Sequence, residues 1–373
     1  QECPLEQSQN RQTNLYKSHT ELKARMGEFG GWDMPIQYSG ILSEVAAVRN
    51  QSGVFDVSHM GRVYLSGPDS HSLMNMLVTS PVRNMDTLQA KYGLICNGNG
   101  GVIDDTIYYK TSKDEYLIIP NAGNRSDVIS WIQATNSNHF QNSVNILDRT
   151  EDTTMLAVQG PQSESILSHL IALHNNQPLS DLGFFRAATG IFEDATLFLG
   201  RTGYTGEDGF ELIIDNCYAQ QLWDSLISNK VAPCGLGSRD VLRLEAALPL
   251  YGHELDINTS PVEAALHRFI KKRTSFIGSE VIHKQLERGT NKTLIGLSVD
   301  GKSAPRQGYP IIQNGTPIGV ITSGSYSPTL DISIALGYVS TVQYIEGVDL
   351  ELDIRGKILP ANLANTPFYK RGA

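Results

Sequence analysis

The chain has 373 residues, 40% of them hydrophobic and 18% charged, with a formal net charge of −9. Its length exceeds the roughly 250 residues at which single cores stop growing, so two or three cores are expected. The acidic balance argues against nucleic-acid binding, which relies on clustered Lys and Arg, and no run of about 18 apolar residues is present to span a membrane. The polar N-terminus, residues 1–13, has neither the apolar core of a secretory signal nor the Arg-rich, acid-poor look of a transit peptide. Cys3, Cys96, Cys217 and Cys234 lie far apart with no C-x-x-C pair. That usage fits reduced, mostly buried thiols in a cytoplasmic setting better than a disulfide framework or a zinc site.

In chain order, a helical stretch after Asn14 gives way to a breaker-rich loop at residues 29–35, and a second helical pattern runs to about Gln51. From Val54 to about Lys272, short β-rich runs alternate with helices. Residues 106–110 and 115–119 read as two strands joined by a polar turn, and residues 125–134 and 163–174 have helical spacing. Beyond Gly278 the pattern becomes short strands separated by Gly, Pro and Asn, as in residues 294–299, 319–322 and 348–352. The first two-thirds therefore read as α+β with antiparallel sheets and the tail as a separate small β barrel or sandwich. The Gly-rich phosphate loops, the H-E-x-x-H helix and the G-x-S-x-G elbow are all missing, and His59 and His253 have no ligand partner nearby in sequence.

Four loops stand out. Residues 97–105 form a Gly-rich turn that delivers Asp104 and Asp105 at the start of a strand. Alternation sends these two acids to opposite faces, so one can face solvent while the other faces the interior beside Ile107. An inward carboxylate is costly unless paired or functional, although spacing alone also allows a turn with two solvated aspartates. Residues 201–211 bend around three glycines, exposing Tyr204 and returning Glu211 on a strand, or else form an acidic surface hairpin. At residues 235–240, Ser238 is the expected N-cap of a helix over 239–248. Arg239 in its first turn opposes the helix dipole, which points to a ligand or to a partner carboxylate such as Asp240 or Glu211. Residues 53–61 read as an apolar strand ending in Met60, a side chain suited either to lining a pocket or to filling core.

Residues 29–35, 53–61, 100–105, 158–161, 201–211, 235–245 and 249–252 together resemble, in order and spacing, the glycine cleavage T-protein family. The ending at residues 366–371 is similar to bacterial members, and the likeness covers nearly the whole chain from about Asn14. The resemblance implies a three-domain clover leaf: two mixed α/antiparallel-β domains, each discontinuous (14–50 with 148–227, and 51–147 with 228–278), and a C-terminal β-barrel-like domain at 279–373. It implies an aminomethyltransferase that takes a one-carbon unit from the aminomethyl-dihydrolipoyl arm of H-protein to tetrahydrofolate. Ammonia is released and 5,10-methylenetetrahydrofolate is the product. Asp105 matches the family's essential aspartate, which leaves Asp104 as its outward partner. Glu211 matches the pterin-binding glutamate, and Met60, Tyr92, Asn121, Tyr204 and Arg239 match positions around folate. No metal is implied. An ordinary aspartate pKa of about 3.9 favours an electrostatic and positioning role for Asp105 over acid catalysis. The competing readings are a folate-dependent demethylase acting on another donor and a non-catalytic folate-binding scaffold.

Overall fold

The computed structural model describes residues 10–372; the expectation for Cys3 falls outside them. The breaker-rich loop is a hairpin. Arg25–Phe29 pairs antiparallel with Trp32–Gln37 through a turn in which Gly30 and Gly31 both take positive φ, 59° and 82°. Two central residues in that region are what tight hairpins favour, and glycine reaches it without strain. Arg11–Gln12 joins this small sheet parallel to Trp32–Asp33.

A seven-stranded sheet follows the order Ala172–Leu173, Ala187–Phe192, Ala195–Gly200, Gly209–Asp215, Thr153–Gln159, Gly53–Asp56 and Ala232–Pro233. Gly53–Asp56, grouped from sequence with the second unit, thus pairs with Thr153–Gln159 of the first. A five-stranded antiparallel sheet has the order Ala90–Cys96, Val102–Ser112, Glu115–Ile119, Val63–Ser66 and Asn145–Asp148. The helix Arg125–Phe140 outruns the ten residues read from sequence and stops at Gln141, which takes φ 51°. The other helical run is shorter than expected: Ser163–Leu170 ends where Ile171 turns extended to lead into a strand.

Strand alternation divides each sheet between two cores. Leu156, Val158, Phe210 and Leu212 pack with the helices Ser163–Leu170 and Ala219–Ser228 around Trp223. Tyr108, Tyr116 and Ile118 pack with Ser70–Leu77 and Arg125–Phe140. The opposite faces meet in a shared central layer, where Met155, Ala157 and Ile213 of one sheet join Tyr109, Leu117 and Ile119 of the other. Glu211 has the parity of Ile213, and Asp105 that of Tyr109. The pleat therefore aims both carboxyls at the interface between the sheets.

Six strands close the C-terminal barrel, in the order Lys292–Val299, Ile332–Ser340, Thr316–Ser327, Pro310–Gln313, Leu350–Ile354 and Lys357–Ala364. It is fastened to the helix Leu236–Glu245. Leu244 packs on Ile334 and Leu336, and Arg243 donates to Ser323 Oγ at 2.8 Å. The fully buried Glu245 accepts from Ser327 and Thr329 of the barrel at 2.5 and 2.9 Å and from Arg49 Nη2 at 2.6 Å. Removing one partner of a buried ion pair leaves the other uncompensated. Glu245→Ala is therefore expected to cost about 3–5 kcal/mol, read as a fall in the urea midpoint. A loss under about 1 kcal/mol, the worth of an exposed pair, would contradict this account of the junction.

Candidate active site

The loop before Val102–Ser112 is held tightly. Gly100 takes φ 84°, and a Cβ on Gly101 would lie 1.8 Å from the Ile257 carbonyl oxygen, so only glycine fits there. Asn97 Oδ1 closes the turn by accepting from the N–H groups of Asn99 and Gly101. The strand then presents Asp104 and Asp105, which are 0% and 8% exposed. Asp104 is not outward. It accepts from Asn121 N at 2.9 Å, Asn121 Nδ2 at 2.8 Å and Asn124 Nδ2 at 2.7 Å. The start of the next helical segment covers the side chain that the family resemblance implied to be outward.

Asp105 Oδ2 accepts from the Tyr92 hydroxyl at 2.8 Å, and its Oδ1 lies 3.0 Å from the same Asn121 Nδ2. Burial pushes both carboxyls above the usual aspartate range, and the charge of Asp105 raises Asp104 further. Burial, then the charge of Asp105, holds the Tyr92 phenol well up, so it remains a proton donor to the carboxylate. Three expected site residues, Tyr92, Asn121 and Asp105, thus form one hydrogen-bonded group.

Glu211 belongs to a second group. Thr202 Oγ1 donates to Glu211 Oε2 at 2.6 Å. Because that hydroxyl has one proton, the Tyr109 hydroxyl 2.7 Å away must donate to Thr202. Burial raises the Glu211 carboxyl, against the Thr202 bond and the charge of Arg239. Sequence reading missed Tyr109 and Thr202. The pairing Gly200↔Glu211, which brings the bend at 201–208 back beside Glu211, is a tertiary fact with no local signature.

Arg239 lies beside the Glu211 group. Its guanidinium sits 4.7 Å from the centroid of the Tyr204 ring, and its Nη1 is buried with no hydrogen-bond partner among the described residues. The expected partners are otherwise engaged: Asp240 binds Arg243 at 2.8 Å, and Glu211 is held by Thr202. Ser238 is not the N-cap. The helix starts at Leu236 after Gly235, and the remote Glu44 carboxylate accepts from Gly235 N and Ser238 Oγ at 2.8 and 2.9 Å. Arg239 therefore sits in the second turn, away from the unfavourable dipole end. Tyr204 is half-buried rather than exposed, its hydroxyl donating to the Pro249 carbonyl.

Met60 is half-buried against the central layer. The fully buried Arg62 fixes its backbone, donating to the carbonyls of Ser58, Met60, Thr150 and Thr153 and to Thr153 Oγ1. His59 is 2% exposed, its Nδ1 unpartnered among the described residues and its ring edge-on to Phe29. Burial, then the nearby Arg239, lowers its pKa to about 3, so it is neutral. His253 is structural, bonding the Thr322 carbonyl at 3.0 Å. A surface cavity of about 330 Å³ near Arg11, Trp32 and Asn216 lies away from Asp105 and Glu211. Among the described residues, no group of three His, Cys, Asp or Glu side chains is placed to hold a metal, and no helix is long and apolar enough to cross a membrane.

Comparison with known proteins matches this architecture along its length. The family model for the GCVT N-terminal domain matches residues 15–274, and that for the glycine cleavage T-protein C-terminal barrel domain matches residues 292–370. An aminomethyltransferase of Moorella thermoacetica is 41% identical, over 97% of this chain and 98% of the relative. One of Symbiobacterium thermophilum is 39% identical, over 96% and 97%. The crystal structure of glycine cleavage system aminomethyltransferase T from Bartonella henselae superimposes with a TM-score of 0.89 at 29% identity, covering 97% of this chain and 98% of that one. Two buried aspartates that share one amide donor, a third buried acid and an arginine whose Nη1 has no hydrogen-bond partner among the described residues thus sit in a scaffold shared along nearly the whole chain, and the chain belongs to the glycine cleavage T-protein family of aminomethyltransferases.

Proposed function

We propose that this chain is the aminomethyltransferase of a glycine cleavage system, moving the one-carbon unit of aminomethyl-dihydrolipoyl H-protein to tetrahydrofolate. At the methylene carbon, the bonds to nitrogen and to sulfur break and bonds to two folate nitrogens form. The two protons those nitrogens lose leave on ammonia and on the freed thiol. One observation carries the assignment: Asp105, buried and raised in pKa, is held by a phenol and an amide, with no protein cation in ion-pair contact among the described residues. A carboxylate without a cation partner suits the positive, iminium-like species that such a transfer generates.

The residues present fit a folate acceptor. Thr202 engages Glu211 through Oε2, which leaves Oε1 to accept from the paired N–H donors of a pterin edge. Arg239 Nη1, a donor with no acceptor among the described residues, is available to a carbonyl or anionic group. Tyr204, Met60 and Asn121 supply the ring face, the adaptable wall and the amide of the same site. In this reading Tyr92 and Asn121 orient Asp105, and Asp105 holds the reacting amine in attack geometry. Burial alters one part of the sequence argument. The case against proton transfer rested on an ordinary aspartate pKa, and a carboxyl held above that range can also relay a proton to the departing amine. The discontinuous division into 14–50 with 148–227, 51–147 with 228–278, and 279–373 belongs to the same proposal, as does a bacterial cytoplasmic setting.

A demethylase would share the folate site without needing lipoylated H-protein. Methylenetetrahydrofolate formation is therefore to be measured with and without aminomethylated H-protein. Full activity on another methylated donor, with H-protein inert, would refute the assignment. For Asp105→Asn, folate binding is expected within about tenfold of wild type, about 1.4 kcal/mol, and turnover down by about a hundredfold or more. Equal turnover removes Asp105 from the chemistry, and equal losses of binding and turnover make it a folate ligand only. Thr202→Val strips the donor from Glu211 and the acceptor from Tyr109. It is expected to cost about 2 kcal/mol near neutral pH by urea unfolding, and less in acid, where Glu211 is protonated.

A further inference from the structure

We propose that Asp104 is a positioning residue of this site: its carboxyl and that of Asp105, bridged by the side-chain amide of Asn121, retain one proton between them at neutral pH, so that Asp104 sets the pH range in which Asp105 is ionised. The inference rests on the active-site reading above, in which Asp105 acts on the substrates.

Asn121 Nδ2 carries two hydrogens and faces three acceptors: Asp104 Oδ1 at 2.8 Å, Asp105 Oδ1 at 3.0 Å and the Asp105 carbonyl at 3.0 Å. The two carboxyls therefore share one neutral donor. The remaining donors are neutral as well: Asn121 N and Asn124 Nδ2 to Asp104, and the Tyr92 hydroxyl to Asp105. The groups facing the pair from the surrounding elements are Tyr92 on Ala90–Cys96, Tyr204 in the 201–208 bend, and Tyr251 and Glu254 after the helix Leu236–Glu245. None of these is a cation. Glu254 brings a further negative charge whose own counter-ion, Arg243 at 3.0 Å, is already engaged.

Two buried carboxylates this close, without a cation, cannot both ionise at the usual pH. The upward direction of both pKa values agrees with that geometry. The protons leave in two macroscopic steps that belong to the pair rather than to either residue. The second ionisation is delayed by the charge created in the first. Replacing Asp104 with a neutral side chain removes that repulsion and lets Asp105 ionise at lower pH. A cation arriving with the substrates, or forming during transfer, has the opposite effect to a neighbouring carboxylate and draws the shared proton off the pair. Asp104 thereby ties the charge of the site to the charge of what occupies it.

Two measurements test the proposal. In the pH profile of kcat/KM, Asp104→Asn is expected to shift the acid limb down by about one pH unit, while a merely structural role leaves the limb in place and lowers the amplitude. An unshifted limb in a folded variant overturns the proposal. Because the introduced amide would turn an N–H toward existing donors and can disturb folding, infrared difference spectra of the wild-type chain provide the second measurement. They are expected to show a protonated carboxyl persisting at pH 7, well above the aspartate range of about 4, and lost on further alkalinisation. Asn124→Ala, which removes one neutral donor from Asp104, is expected to move that loss to higher pH. Absence of the protonated carboxyl, or a loss unmoved by Asn124→Ala, overturns the proposal. The infrared measurement needs no substrate, so a chain inactive toward H-protein and tetrahydrofolate refutes the activity while leaving the shared proton to be judged separately.

Discussion

The buried pair Arg49–Glu245 is the contact on which the assembly of the molecule depends. Arg49, near the end of the helix Ile41–Asn50, reaches Glu245 at 2.6 Å and also binds Glu207 at 3.2 Å and the Thr205 carbonyl at 2.8 Å. Glu245 in turn holds barrel residues Ser327 and Thr329, and its backbone carbonyl accepts from Tyr369 near the C-terminus. The Tyr369 ring lies over the Arg49 guanidinium at 3.9 Å, and its hydroxyl donates to Glu207. One charge pair thus joins the N-terminal helix, the 201–208 bend, the Arg239 helix and the barrel. Desolvating such a pair is costly, and only the full set of partners offsets it.

Against that framework, the acids of the active site are treated differently. Structural carboxylates are commonly met by cations: Glu245 by Arg49, Glu254 by Arg243 and Asp208 by Arg201. Glu44 is a structural exception, satisfied by backbone N–H groups and a serine at a helix start. Asp104, Asp105 and Glu211 instead rest on phenols, hydroxyls and amides, while Arg239 Nη1 has no acceptor among the described residues. Positive and negative groups therefore stand close without neutralising one another. In a low-dielectric interior, that separation is a reservoir of interaction energy for a polar, charge-shifting reaction. The 201–211 bend serves both arrangements, since it carries Thr202 and Tyr204 of the site and Glu207 of the Arg49 cluster.

How far the sequence alone reaches differs from residue to residue. Local signals located the change to short strands after Gly278, the hairpin at residues 106–119 and the Gly-rich turn before Asp104, because turn chemistry and strand alternation are properties of neighbouring residues. The 29–35 segment was misread as a loop, since its two glycines break a helix and make a tight hairpin equally well. Ser238 was misplaced as a cap because the carboxylate that occupies Gly235 N comes from Glu44, far away in the chain.

What the sequence determined by itself is the set of parts: two adjacent acids on a strand, a bent glycine loop, an arginine on a helix, a terminal β module, and an order of motifs shared with one family. Periodicity could say that Asp104 and Asp105 point opposite ways. It could not say that both directions are covered, because what covers the far face, Asn121 and Asn124, arrives from the turn between the strand Glu115–Ile119 and the helix Arg125–Phe140. Tertiary structure alone decided that both acids are buried, that one amide serves them both and that Arg239 Nη1 has no hydrogen-bond partner among the described residues. Burial and hydrogen-bond satisfaction are set by packing between elements distant in the chain, and the charge state of a carboxyl follows from them.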